Sequence, residues 1–187
     1  MIDSGITVQQ QYEVSFQVLP TNFYNFCHNV IHFSTGSDQG HSGSRIPLVS
    51  FCGSSGAYTL YICSEVNGDF DYCVNSDQKP LNKWTSVMIR QFLANGGSYL
   101  YEVIVDRKTI LSVINNQVKT FNQVNVYVSD PWVAAQDGRM KDLYYGGKYC
   151  TISKFQNNIL FSYILCCIVL YKCLIFIGGH LFPPFCT

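Results

Sequence analysis

From Tyr12 to Val18 apolar and polar side chains alternate, with Val14, Phe16 and Val18 set against Glu13, Ser15 and Gln17. That period of two predicts a strand with one face in a core and the other in water, and Pro20 ends it. Residues 29–35 alternate again, with Val30, His32 and Ser34 opposing Ile31, Phe33 and Thr35. Residues 36–45 then form the longest polar stretch of the first half, a predicted loop. Further strands are predicted at 46–51, 58–64, 70–74, 84–92, 98–105, 108–114 and 124–129, and at 140–145, which is expected to pair with an early strand. Turns fall at Asn67-Gly68, Asn95-Gly96-Gly97 and Asp106-Arg107. About nine or ten short strands, spaced roughly 8 to 12 residues apart, predict an all-β antiparallel sandwich. No helical period occurs before Gly147.

Asn67-Gly68 is the strongest hairpin signal in the chain, because both central positions of the turn need positive φ. Cys63 and Cys73 lie about equally far from it. They should face each other across the hairpin and form a disulfide.

Composition sharpens this picture. Aromatic residues outnumber charged ones, 15% against 13%, which suits pleated, half-buried surfaces. Basic and acidic side chains balance at 12 each with no basic stripe, which argues against a nucleic-acid partner. Nine cysteines are a high count for 187 residues. They contain no Cys-x-x-Cys pair and no histidine placed to complete a zinc set, so the better reading is an oxidising compartment with at least one disulfide. Met1 to Gln11 lacks the basic start and apolar run of a signal peptide. Together with the cysteines, this leads to the expectation that the chain is a portion of a longer secreted protein.

Residues 159–177 are almost continuously apolar, broken by Ser162 and Lys172, and match the length of a bilayer core. One reading is a transmembrane helix that anchors the domain. Lys148 and Lys154 on its upstream side would then hold the domain in the cytoplasm, against the disulfide argument. A second is a glycolipid-anchor signal after Gly146-Gly147, and a third is that the segment is no natural part of the domain. The expected organisation is a sandwich over 11–146, a polar linker over 147–158, the apolar segment over 159–177 and a short tail over 178–187.

The run Lys83-Trp84-Thr85-Ser86-Val87-Met88-Ile89, then Tyr101-Glu102-Val103-Ile104-Val105-Asp106, then residues 124–129 and Gly138-Arg139-Met140-Lys141-Asp142-Leu143, resembles the second half of a laminin-G-like or concanavalin A-like jelly roll. In that family a tryptophan opens one strand, a later strand ends in a hairpin and a final strand closes the sandwich. The resemblance covers residues 11–146. Arg107 stands where that hairpin often has glycine. Residues 29–36, 46–51 and Asp130-Pro131-Trp132 also resemble extracellular domains of invertebrate animals, a kinship that carries no activity with it. The resemblance implies a jelly-roll β-sandwich that binds glycans or proteins through loops at one rim or across the concave sheet, often with calcium. Some relatives are glycoside hydrolases, so fold alone does not settle chemistry.

Candidate chemistry concentrates in two loops. Trp132, after Pro131, is placed either to stack on a sugar or anchor a protein partner, or to fold back over the core, and His41 and Arg45 of the long polar loop are candidates beside it. Asp38, Asp130 and Asp137 would supply carboxylates for calcium if the two loops meet at one rim. Trp84, at a strand start, is expected in the core. Asp69 and Asp71 have glycosidase-like spacing but read as solvated hairpin residues, and Glu13, Glu65 and Glu102 are far apart. His28, His32 and His41 lack a nucleophile elbow. The sequence therefore reads as an extracellular or cell-surface recognition module, not an enzyme, for a glycan or an extracellular protein in adhesion or matrix. A divergent glycoside hydrolase and a purely structural matrix module are the alternatives.

Overall fold

The computed structural model describes residues 1–38, 40–54, 57–151 and 165–168. Among them the chain forms thirteen strands and no helix: β1 (Asp3–Val8), β2 (Tyr12–Pro20), β3 (Cys27–Ser34), β4 (Leu48–Ser54), β5 (Ala57–Val66), β6 (Asp69–Asn75), β7 (Thr85–Leu93), β8 (Tyr99–Val105), β9 (Lys108–Asn115), β10 (Phe121–Tyr127), β11 (Gly138–Tyr145), β12 (Lys148–Thr151) and β13 (Leu165–Ile168). They build two antiparallel sheets in a jelly-roll sandwich, in the orders β1-β10-β3-β4-β5-β6 and β13-β12-β11-β2-β7-β8-β9.

The inward rows follow the two-residue period. Val14 and Phe16 on β2 stand opposite Ile89 and Val87 on β7, and all four are buried. Phe33, Val49, Phe51, Leu60 and Ile62 complete the core from the other sheet. Two contacts tie the sheets together: the rings of Phe33 and Tyr145 meet edge-on at 5.3 Å, and the buried Tyr101 hydroxyl donates to Ser64 Oγ at 2.7 Å. The expected return of the chain is β11, which pairs with β2.

Three features differ from the sequence reading. The strand β1 precedes the expected start at residue 11 and pairs with β10, its register broken by shifts on either side of Ile6. Its burial carries no two-residue alternation. Strand β3 is buried on both faces from Asn29 to Ser34, not half-wetted. The 130–136 loop runs alongside it: Asn29 N–H donates to Ala134 O and Gln136 N–H to Asn29 O, both at 2.8 Å. The strand predicted at 46–51 starts at Leu48, because Pro47 offers no N–H to a ladder.

Beyond the expected boundary at 146, Gly146 and Gly147 take φ of 55° and 80° and turn the chain into β12, where a polar linker was expected. Residues 165–168, inside the apolar segment read as a possible membrane helix, pair as β13 with β12. An apolar segment beside an open sheet edge satisfies its backbone there by pairing. No helix of the described residues is long and apolar enough to cross a membrane. The rest of 159–177 and the 178–187 tail lie outside the described residues.

Candidate binding groove

Two disulfides join directly opposed residues of neighbouring strands. Cys63 and Cys73 pair across the β5–β6 hairpin as expected, and its turn residues Asn67 and Gly68 have φ of 55° and 81°. The bond between Cys27 and Cys52 joins β3 to β4. The sequence did not announce it, because the two cysteines are 25 residues apart across a long loop. Two such bonds mark maturation in an oxidising compartment.

At the rim, β3 delivers His32 into the space between the two loops that carry the predicted site residues. His32 Nδ1 is hydrogen-bonded to Asp130 Oδ2 at 2.8 Å and Nε2 donates to Ser44 O at 2.6 Å, with His32 and Asp130 fully buried as side chains. Both ring nitrogens are therefore satisfied without water. Asp130 Oδ1 accepts the backbone N–H groups of Trp132 and Val133 at 2.9 and 2.8 Å. Trp132 lies edge-on to both His32 and Tyr127 at 5.5 Å and remains 40% exposed. It therefore combines the two placements left open for it, covering the core at one edge and facing solvent at the other.

The other rim candidates are engaged by the protein. Arg45 pairs with Asp71 and donates from Nε to Asp38 O at 2.8 Å, so its guanidinium braces the loop. His41 is exposed and its ring bonds Ser42 O. Asp137 Oδ2 accepts from Asn22 Nδ2 and the Tyr24 hydroxyl at 2.6 and 2.7 Å. Asp38, Asp130 and Asp137 do not converge: among the described residues the one set with ligand atoms within 4.8 Å is Cys63, Asp71 and Cys73, whose sulfurs are joined to each other. A disulfide sulfur is no thiolate ligand. The three aspartates expected to hold calcium do not fit it as a set, because the rim commits Asp130 to His32 and Asp137 to the 22–24 loop.

A deeper concavity lies on the outer face of the seven-stranded sheet. Trp84, expected in the core, is half-buried there and lines an open groove of about 810 Å³ with Gln17 from β2, Ser86 from β7, Gln78 and Lys83 from the β6–β7 loop, and Arg107 from the β8–β9 turn. A second depression of about 260 Å³ continues it and shares Gln17, Ser86 and Arg107. Lys141 from β11 holds its ammonium 4.5 Å from the centre of the Trp84 ring. The lining includes one carboxylate, Asp106, which accepts from Lys79 Nζ and from Ser86 N–H at 2.9 Å each. Burial pushes the Asp106 carboxyl up, and these two bonds with the Lys79 charge outweigh it, leaving its pKa below the ordinary aspartate value. Sequence reasoning missed Trp84 because a tryptophan at a strand start looks the same on either face.

The carboxylates weighed for catalysis all have partners in the protein: Glu13 accepts from Ser15 Oγ at 3.3 Å and stands, like Glu102, opposite Arg90 in the register. Asp71 is bound to Arg45, and Asp69 Oδ1 accepts the Asp71 N–H at 2.9 Å. Glu102 is held by Arg90 and Ser112. Glu65, nearly buried, accepts from Lys119, Ser42 Oγ and Gly43 N–H. Burial alone would raise its pKa, and those three donors lower it below the ordinary glutamate value.

No family model and no curated protein matches the sequence. Among solved structures the chain is similar to a native heptameric SAP-like pentraxin from Limulus polyphemus, at 15% identity and a TM-score of 0.49 over 77% of this chain and 66% of that one. It is also similar to sheep galectin-11, solved in complex with glycerol, at 13% identity and a TM-score of 0.35 over 68% of this chain and 92% of that one. The chain spans just under two thirds of the pentraxin chain's length. Neither likeness assigns a role to a residue.

Proposed function

We propose that this chain is an extracellular recognition module that binds a glycan in the groove beside Trp84, and that it is not an enzyme. The observation that carries the reading is the half-buried indole at the wall of an open, polar concavity, with side-chain amides and hydroxyls of Gln17, Gln78 and Ser86 within the same lining. A saccharide presents C–H edges that suit an aromatic face and hydroxyls that suit such polar groups, and few other neutral ligands offer both. The disulfides support a location outside the cell, where glycans are abundant. Both carboxylates along the groove and its continuation are engaged by the protein, Asp106 by Lys79 and Ser86 and Asp142 by Gln17 Nε2 at 2.8 Å, which supports binding over hydrolysis.

A glycan array probed with the wild type, Trp84→Ala and Trp132→Ala tests the reading. Binding lost in Trp84→Ala and kept in Trp132→Ala is the expected result. Loss in Trp132→Ala alone moves the site to the rim, and no binding by any form leaves a structural module. Turnover of a bound glycan, abolished by Asp69→Asn with Asp71→Asn, would overturn the non-enzymatic reading.

A further inference from the structure

Positive charge is unevenly matched over the surface. Nine lysines and arginines precede Gly147. Five are paired with carboxylates: Arg45 with Asp71, Lys79 with Asp106, Arg90 with Glu102, Lys108 with Asp77 and Lys119 with Glu65. The four without a carboxylate partner among the described residues are Lys83, Arg107, Arg139 and Lys141, and they gather on one face. Lys83 and Arg107 line the groove, and Lys141 caps the ring of Trp84. Arg139 is exposed two residues before Lys141, and so shares its face of β11. The register places Lys141 opposite Gln17 and Gln17 opposite Ser86, while Asp106 N–H bonds Ser86 O, so the cations span four adjacent strands. In a chain of zero formal charge this is a local positive field around an aromatic platform.

Arg107 adds a second, independent observation. It holds φ of +66° in the β8–β9 turn, beside Asp106 at +50°, whereas the corresponding position of the β5–β6 turn is Gly68. Glycine takes that conformation without strain and a long side chain does not. Strain kept at a residue that lines a concavity points to a use for its side chain.

We infer that the ligand of this groove is an acidic glycan, one bearing sulfate or uronic carboxylate groups, and that Arg107 is a specificity-determining contact. The inference rests on the groove reading above and adds the charge of the ligand to it. Guanidinium donates two parallel hydrogen bonds to a sulfate or carboxylate, while Lys83 and Lys141 act as point charges to either side of the ring. The compartment set by the two disulfides favours acidic glycans over nucleic acid as the polyanion met there.

The test titrates the full 187-residue chain by calorimetry with a heparin-derived oligosaccharide, with its desulfated, N-acetylated and carboxyl-reduced counterpart, which carries no acidic group, and with a single-stranded oligonucleotide of equal charge. The expected result is binding of the sulfated form at least about tenfold tighter than either control and weakened by added salt, since exposed charge contacts are screened. Arg107→Gly should lose about tenfold in affinity while melting about 2 °C higher, a combination that a purely structural arginine does not produce. Trp84→Ala should lose binding of both saccharides. Equal affinity for the sulfated and desulfated forms, with Trp84→Ala still abolishing both, overturns the acidic ligand and leaves the groove reading standing. Sulfated binding that survives both substitutions overturns the two together. Oligonucleotide binding as tight as the saccharide's overturns the glycan specificity.

Discussion

Removing the Asp130 carboxylate is the sharpest perturbation of the rim. Its two oxygens bond His32 Nδ1 at 2.8 Å in a buried setting and accept from the half-buried N–H groups of Trp132 and Val133 at 2.9 and 2.8 Å. Asp130→Ala strips the three bonds and leaves the buried ring nitrogen and two backbone N–H groups without a partner. Each polar group left unsatisfied costs about 1–3 kcal/mol, and a total of about 3 kcal/mol or more lowers the melting temperature of a chain of this size by roughly 6 °C or more. Asp130→Asn keeps one oxygen for the two N–H groups and offers an amide N–H to His32. The ring still donates from Nε2 to Ser44 O. That exchange costs about 1–2 kcal/mol. Chemical denaturation measures both values, and tryptophan emission reports whether Trp132 moves into water. Two variants within about 0.5 kcal/mol of the wild type would refute the claim that this pair holds the loop.

Three further outcomes follow from the same geometry. By the chain-entropy relation, removing the Cys27–Cys52 bond, with its separation of 25, costs about 3.5 kcal/mol, against about 2.7 kcal/mol for Cys63–Cys73 with its separation of 10; denaturation of the paired Cys→Ala variants checks both the order and the size. Glu65 titrates below its ordinary value of 4.5 in the folded chain, so its contribution is complete above about that pH and is lost as pH falls through the folded value. Glu65→Gln should cost about 1–3 kcal/mol at neutral pH and flatten the acid limb of a stability-against-pH curve; an unchanged limb removes Glu65 from the acid response. Calcium at millimolar concentration should shift the melting temperature by less than about 1 °C, because Asp38, Asp130 and Asp137 form no site; a larger rise abolished by chelator contradicts that.

Much of the scaffold is legible in local pattern. The alternation of Val14, Phe16 and Val18 gives β2, and Asn67-Gly68 gives the hairpin, while the facing of Cys63 and Cys73 also needs the register shift between Ser64 and Val66, which the turn does not announce. Tertiary cover is not legible in that way. The sequence around His32 reads as a half-wetted strand, yet a loop some hundred residues later covers it and buries its contact with Asp130. The Cys27–Cys52 bond depends on the register of β3 against β4, which an intervening loop leaves undetermined. The apolar run containing Leu165–Ile168 has the length of a membrane span, and the open edge of β12 turned those four residues into a strand. Of the candidate site, Trp132 was visible and Trp84 was not, since period alone does not say which face a strand-opening side chain takes. Arg107 was the one available signal: a residue standing in a turn position that favours glycine.

Trp84 and Trp132 are the two tryptophans of the chain, so its nitrogen-proton NMR spectrum carries two indole N–H signals, each assigned by a single substitution. Titration with the saccharide selected on the array is the most direct test of the groove. The account predicts that the Trp84 signal shifts with ligand and that the Trp132 signal holds still. A Trp132 signal that moves while Trp84 does not would contradict it and place the ligand at the rim.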